Sequence, residues 1–240
     1  MRALLLQIAE PRIAAGVAEH SNFTERALDR MQHTVELVVD VGLGEPTQAR
    51  RAIDEMRRAH RGVRGVTPDG SAYSADDPEL RLWVLATLID TVLVVEEAYV
   101  GEFREHDRAR YYRESLEVAR ALEVGDAPAT LDEFRAYVEQ RVDGLAVTDR
   151  AREIACHVLY PKLGWTPQWP LAPFRAVTTD LLPHRLRDGY ELSLSSRQVK
   201  WLRRFQAVSR ATLPRMPEWV RAFPVLRPVH GLRRRVDHSP

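Results

Sequence analysis

A histidine in the last turn of an amphipathic helix is the residue best placed to do chemistry in this sequence. Ala49, Ile53, Met56 and His60 fall at i, i+4, i+7 and i+11, one stripe of a single helix. Arg50, Arg51, Asp54, Glu55, Arg57 and Arg58 occupy the opposite face, so His60 is aimed at the interior. Two readings suit it: a core imidazole bonded to a backbone carbonyl, or an axial ligand to haem iron, which needs one neutral imidazole nitrogen in an apolar pocket. Arg30, His33 and Thr34 form a second constellation. The i, i+4 pair of Arg30 and Thr34 flanks an apolar stripe made by Leu28, Met31, Val35, Val38 and Val39. A guanidinium and a hydroxyl there would either polarise a ligand in a cavity or satisfy partners at a helix boundary.

Other chemistries lack their residues. A di-iron carboxylate bundle needs Glu-x-x-His on two helices, and the sequence contains none. His-Glu-x-x-His, Cys-x-x-Cys and Cys-x-x-Cys-His are absent, which removes the common zinc and covalent-haem signatures. No Gly-x-Ser-x-Gly marks a serine hydrolase. Gly42-Leu43-Gly44 lacks the third glycine and preceding strand of a dinucleotide site. Cys156 reads as a small buried residue rather than a nucleophile. Of the pair Glu96-Glu97, Glu97 reads as surface and Glu96 as the buried one.

The elements that position these residues are helical. Apolar periodicity predicts helices over Ala3–Glu19 (bent or reset at Pro11), Thr24–Val41, about 46 to His60, Pro78–Val100, His106–Val124, about 131 to Val142, 149 to Tyr160, Pro173–Leu182 and Ser195–Ala211. Asp76-Asp77-Pro78-Glu79 and Thr130-x-x-Glu133 are start signals, the latter a capping box. Thr67-Pro68-Asp69-Gly70 is the clearest turn, because proline fixes one φ and glycine frees another. Strand alternation is nearly absent. The expected fold class is all-α, a bundle of about eight or nine helices in one domain over residues 1–240, with a basic Pro/Arg-rich segment over 212–240.

Composition supports a globular chain: 45% hydrophobic and 29% charged residues exclude wholesale disorder. A single cysteine forbids an intrachain disulfide, and Met1–Leu6 is too short an apolar run for a leader, so the expected location is cytoplasmic. No transmembrane segment is expected, since Leu82–Val95 is shorter than the roughly 20 residues a bilayer requires. Charge is unevenly spread: Arg197 to Arg235 holds eleven basic residues against Glu218 alone, while the net charge of the chain is only +1. That stretch either matches the acidic body of the molecule or meets a membrane surface as a peripheral contact. Trp201, Phe205, Trp219 and Phe223 within it suit helix packing, and without a helix-turn-helix no nucleic-acid partner is expected.

Several segments, taken in order, resemble the MpaB and latex-clearing rubber oxygenase family. They are Ala3–Gln7 followed by Gly16–Ser21, Arg30-x-x-x-Thr34, Ala59-His60-x-x-Val63-x-Gly65, Tyr73–Leu80 with Trp83–Leu88, and Leu181–Arg187. The resemblance implies an all-helical fold holding haem b, with His60 as iron ligand and Arg30 and Thr34 lining the pocket, His33 beside them. It also implies an oxygenase, an oxidoreductase that uses dioxygen on an apolar, isoprenoid-like substrate. The sequence departs from the pattern at Glu10 and Leu85, where family members often carry histidines, and it begins where relatives have further helical sequence upstream. Those departures motivate an alternative: a member of the fold without haem that binds an apolar ligand or a protein partner. Neither the substrate nor the oligomeric state is legible.

Overall fold

The structure, a computed structural model, describes residues 1–20, 40–41, 44–161 and 169–217. Helical periodicity becomes ten α-helices among the described residues: α1 (Arg2–Ile8), α2 (Pro11–His20), α3 (Pro46–His60), α4 (Pro78–Val95), α5 (Glu105–Ala121), α6 (Leu131–Gly144), α7 (Asp149–Leu159), α8 (Ala172–Leu181), α9 (His184–Gly189) and α10 (Ser196–Thr212). The all-α reading is borne out, with three adjustments. The helix expected over Ala3–Glu19 is two helices, because Pro11 has no N–H to donate and opens a new one. The short α9 was not foreseen; six residues carry too little periodicity to read. A two-stranded antiparallel hairpin, β1 (Arg64–Val66) and β2 (Ala72–Ser74), stands where no strand was expected. The helix expected over Thr24–Val41 lies outside the described residues apart from its last two.

Helix α4 organises the interior. Leucine, isoleucine and valine occur on nearly all of its sides, so it is stable only when enclosed. Asp77 caps it by accepting the Glu79 amide at 2.9 Å, and Pro78 takes the first position, where a missing N–H costs nothing. Trp83 and Thr87 are fully buried. Around α4 pack α1, α5 and α6, with Leu5, Leu6, Ile8, Tyr112 and Phe134 completing the core. Tyr112 and Phe134 lie with ring centroids 4.7 Å apart, and the Tyr112 hydroxyl donates to the Pro128 carbonyl at 2.6 Å.

Beyond Val95 the helix widens into a π-helical turn over Glu96–Val100 and stops at Gly101, whose φ of 66° is left-handed. Glu96 is buried, as the sequence suggested, and Glu97 is exposed. The Glu96 carboxylate accepts the amides of Glu102 at 2.9 Å and Phe103 at 2.8 Å and faces Arg108 at 3.3 Å. A buried charge so fully bonded is a folding device that reverses the chain. Cys156 corrects its expectation: it is exposed, because the buried face of α7 is made by Ala151, Ile154, Ala155, Val158 and Leu159. Among the described residues no helix is long and apolar enough to cross a membrane.

Leu85 sits in a well-filled layer, against Leu82, Ala86, Ile89, Tyr112 and Phe134, where the residual cavity is only about 10 Å³. Leu85→Ala is therefore expected to cost about 2–5 kcal/mol. Urea denaturation measures this, and an unchanged midpoint would show that this layer does not carry the stability assigned to it.

Candidate functional site

His60 is the last residue of α3, and its carbonyl accepts the Val63 amide at 2.9 Å, which turns the chain into β1. Burial follows the stripe: Ile53 is buried, Ala49, Met56 and His60 are half-buried, and Arg50, Arg51, Asp54, Glu55 and Arg58 are exposed. Arg57, at the flank, pairs with Glu123 at 3.0 Å and fixes the far side of the helix. An imidazole at the end of an apolar stripe is thus what the structure offers at this position.

The hairpin that follows His60 is held by its turn and by one tyrosine. Thr67 and Ser71 close the turn with an amide-to-carbonyl bond of 2.9 Å, and Gly70 adopts a φ of +88°. The Thr67 hydroxyl donates to the Asp69 carboxylate, which together with the Ser71 amide holds Asp69 below the usual carboxylate range. Gly65 pairs with Tyr73 across the strands. A Cβ at Gly65 would stand 2.6 Å from the Tyr73 hydroxyl oxygen, so only glycine lets the ring lie there. Gly16 of α2 faces the same ring.

Tyr73 joins the hairpin to the end of α2. Its hydroxyl donates to Glu19 Oε2 at 2.5 Å, and His20 Nε2 lies 3.3 Å from the same oxygen. His20 Nε2 is also 3.2 Å from the Arg64 carbonyl. A carbonyl can only accept, so Nε2 is the donor in this contact. Burial, then the Glu19 carboxylate, push the Tyr73 hydroxyl up to about 12. The cluster sits within one hairpin of His60, and His20 leads directly into residues 21–39. Arg30, His33 and Thr34 lie in that segment, outside the described residues.

Glu10 and Leu85 supply no ligand. Glu10 is buried and accepts Arg12 Nε at 2.9 Å and Arg141 Nη2 at 3.2 Å. Arg141 also meets Glu79 at 2.5 Å, and its guanidinium lies 5.4 Å over the Trp83 ring. Arg12 reaches Glu79 at 3.4 Å and Asp77 at 3.5 Å. The carboxylate is wholly used in tying α2, α4 and α6 together, while Leu85 fills the core. Sequence reading missed this network and the Tyr73 cluster. The first joins residues as much as 131 positions apart, which no spacing reveals. The second had one usable signal, a glycine opposite a tyrosine on either side of a clear turn.

Residues 1–211 match the model of the family described as ER-bound oxygenase mpaB/B'/Rubber oxygenase, catalytic domain. The chain belongs to that family. Two mycobacterial relatives, both carrying the name uncharacterized protein, are Mb2261 of Mycobacterium bovis and Rv2237 of Mycobacterium tuberculosis. Each is 26% identical over 215 residues, covering 83% of this chain and 82% of its own. No solved structure matches.

Membership of an MpaB and rubber-oxygenase family makes the fit of a haem a question for these residues. Among the described residues no group of three or more His, Cys, Asp or Glu could hold a metal ion. A haem needs no such group, because the porphyrin supplies four donors and the protein one axial nitrogen. A half-buried imidazole ending the stripe of Ala49, Ile53 and Met56 fits that requirement.

The Tyr73 hydroxyl gives a pH signature. Its pKa is raised in the folded state from the usual 10 to about 12, so its contribution to stability is complete below pH 10 and is lost as pH climbs toward 12. Tyr73→Phe should therefore lose stability less steeply than the parent between about pH 9 and about pH 11 in paired urea titrations. Parallel losses in the two proteins would remove Tyr73 from this role.

Proposed function

We propose that this chain is a haem b-dependent oxygenase acting with dioxygen on an apolar, isoprenoid-like substrate, as a single cytoplasmic domain. The observation that supports the reading is the position of His60: the apolar stripe of α3 ends on an imidazole in a chain of an oxygenase catalytic-domain family. His60 would hold the iron through one ring nitrogen. Arg30 and Thr34, with His33 beside them, would line the haem, the guanidinium facing negative charge and the hydroxyl donating a hydrogen bond. When bound, the haem supplies dioxygen activation for oxidation of a carbon–carbon double bond. The chain's own share is to exclude water with Ile53 and Met56 and to fix the imidazole at the rigid end of a helix.

Protein purified from haem-supplemented cells is expected to show a Soret band and close to one iron per chain. His60→Ala should lose both while keeping its far-ultraviolet circular dichroism. A His60→Ala protein with a full haem complement would take the ligand role away from His60.

A second reading is favoured by Glu10 and Leu85. Both positions, where the family resemblance leads one to expect histidine, are here committed to an ion network and to a packed core. In that reading the fold works without haem and takes up an apolar ligand. Colourless, iron-free protein that still enhances the fluorescence of an apolar probe would select it.

A further inference from the structure

Helix α10 carries five cations, Arg197, Lys200, Arg203, Arg204 and Arg210, and no acid. It is anchored from one side, with Leu202 and Ser209 buried beneath it and Ser195 accepting the Gln198 amide at its start. The outer side is unusual. Trp201, Phe205 and Val208 fall at i, i+4 and i+7 and are 40%, 42% and 59% exposed. The two rings stack with centroids 5.1 Å apart and planes within 10°, and Phe205 leans on Tyr99 of the π-helical turn at 5.4 Å. The apolar stripe is therefore held rigid in water, which costs free energy that a monomer normally avoids. Arg197, Lys200 and Arg204 lie along its edge, exposed and without a salt bridge among the described residues.

We propose that this face of α10 is a docking surface for an anionic lipid bilayer. Rigid aromatics beside an aliphatic side chain suit the boundary between headgroups and acyl chains, and flanking Lys and Arg suit anionic headgroups. A second copy of the chain is disfavoured as the occupant, because a two-fold contact on this face would set Arg197, Lys200 and Arg204 of one copy against the same three of the other. A nucleic acid would meet the cations but leave Val208, the most exposed apolar residue of the stripe, without a partner. The acidic remainder of the chain repels the same surface and so orients the molecule with α10 toward it. This surface does not depend on the haem reading.

The test is co-sedimentation of the full chain with phosphatidylcholine vesicles, with and without phosphatidylserine, at low and high salt. Binding is expected only to the phosphatidylserine vesicles, and it should weaken in high salt. Lys200→Gln with Arg204→Gln should weaken it on the order of twentyfold, about fivefold for each charge. Trp201→Ser with Val208→Ser, both at exposed positions and checked by circular dichroism, should abolish it without changing the charge. Equal binding to neutral vesicles, binding untouched by Trp201→Ser with Val208→Ser, or tight binding to a polynucleotide without binding to vesicles would each overturn the proposal.

Discussion

A short helix buried on most of its surface must find donors for its last carbonyls without water, and in this fold α1 sets that demand. Its seven residues include Leu5, Leu6 and Ile8 at zero exposure, so the carbonyls of its final turn are sealed in. Trp83 of α4 donates its indole N–H to the Leu6 carbonyl at 3.3 Å, and Tyr190, just beyond α9, donates its hydroxyl to the Leu5 carbonyl at 2.6 Å. The amide of Glu10 returns to the Gln7 carbonyl at 3.1 Å. Two large side chains, 107 positions apart in sequence, are thereby placed by the end of one helix. Burial also drives the Tyr190 hydroxyl well above its ordinary range, so it stays a donor. At the other end of α1, Arg2 pairs with Asp90 at 2.7 Å and donates to the Leu181 carbonyl at 2.8 Å, which orients α1 along α4 and brings α8 against it.

Arginine does most of the polar work inside this shell. Glu10 with Arg12 and Arg141, Glu96 with Arg108, and Asp90 with Arg2 are all inward-facing carboxylates met by planar guanidiniums. A guanidinium can bond two acceptors in one plane and still stack on a ring, as Arg141 does on Trp83. A lysine at position 141 could not bridge Glu10 and Glu79 in that way. The abundance of arginine has structural consequences here, whatever its origin in the coding sequence. It also explains how position 10 can hold an acid: the two guanidiniums on it make a buried carboxylate tolerable.

The fold was legible because its signals are local. Caps at Asp77 and Thr130, and apolar periodicity along the rest of the chain, place most helices within a few residues. What was not legible depends on distant partners. The hairpin at Arg64–Ser74 has strands of three residues, too short to alternate visibly, and is stabilised by α2 rather than by its own propensity. Cys156 was misplaced because one position along a helix is a rotation of about 100°, enough to move a side chain from core to water. The stripe of His60 was legible from spacing alone, as were Trp201 and Phe205. That these two aromatics face outward was not, since a helix with a narrow buried side looks the same in sequence as one with a wide one.

The π-helical turn links the exposed face of α10 to the core. It widens the end of α4 so that Tyr99 turns under Phe205, and Arg210 of α10 donates to the Glu97 carbonyl at its close. A Cβ at Gly101 would meet Arg210 Nε at 3.1 Å, so the left-handed glycine both ends the helix and makes room for that guanidinium. A regular α-helical ending would aim the Glu97 carbonyl elsewhere and leave α10 without this anchor, seated by Leu202, Ser209 and the Gln206 amide, which donates to Asp180 at 3.0 Å. The exposed stripe of α10 is therefore fixed relative to Trp83 and Leu85 through one continuous helix. The hairpin of Tyr73 ties α2 to the chain that follows α3 in a similar way, through the hydroxyl bond to Glu19.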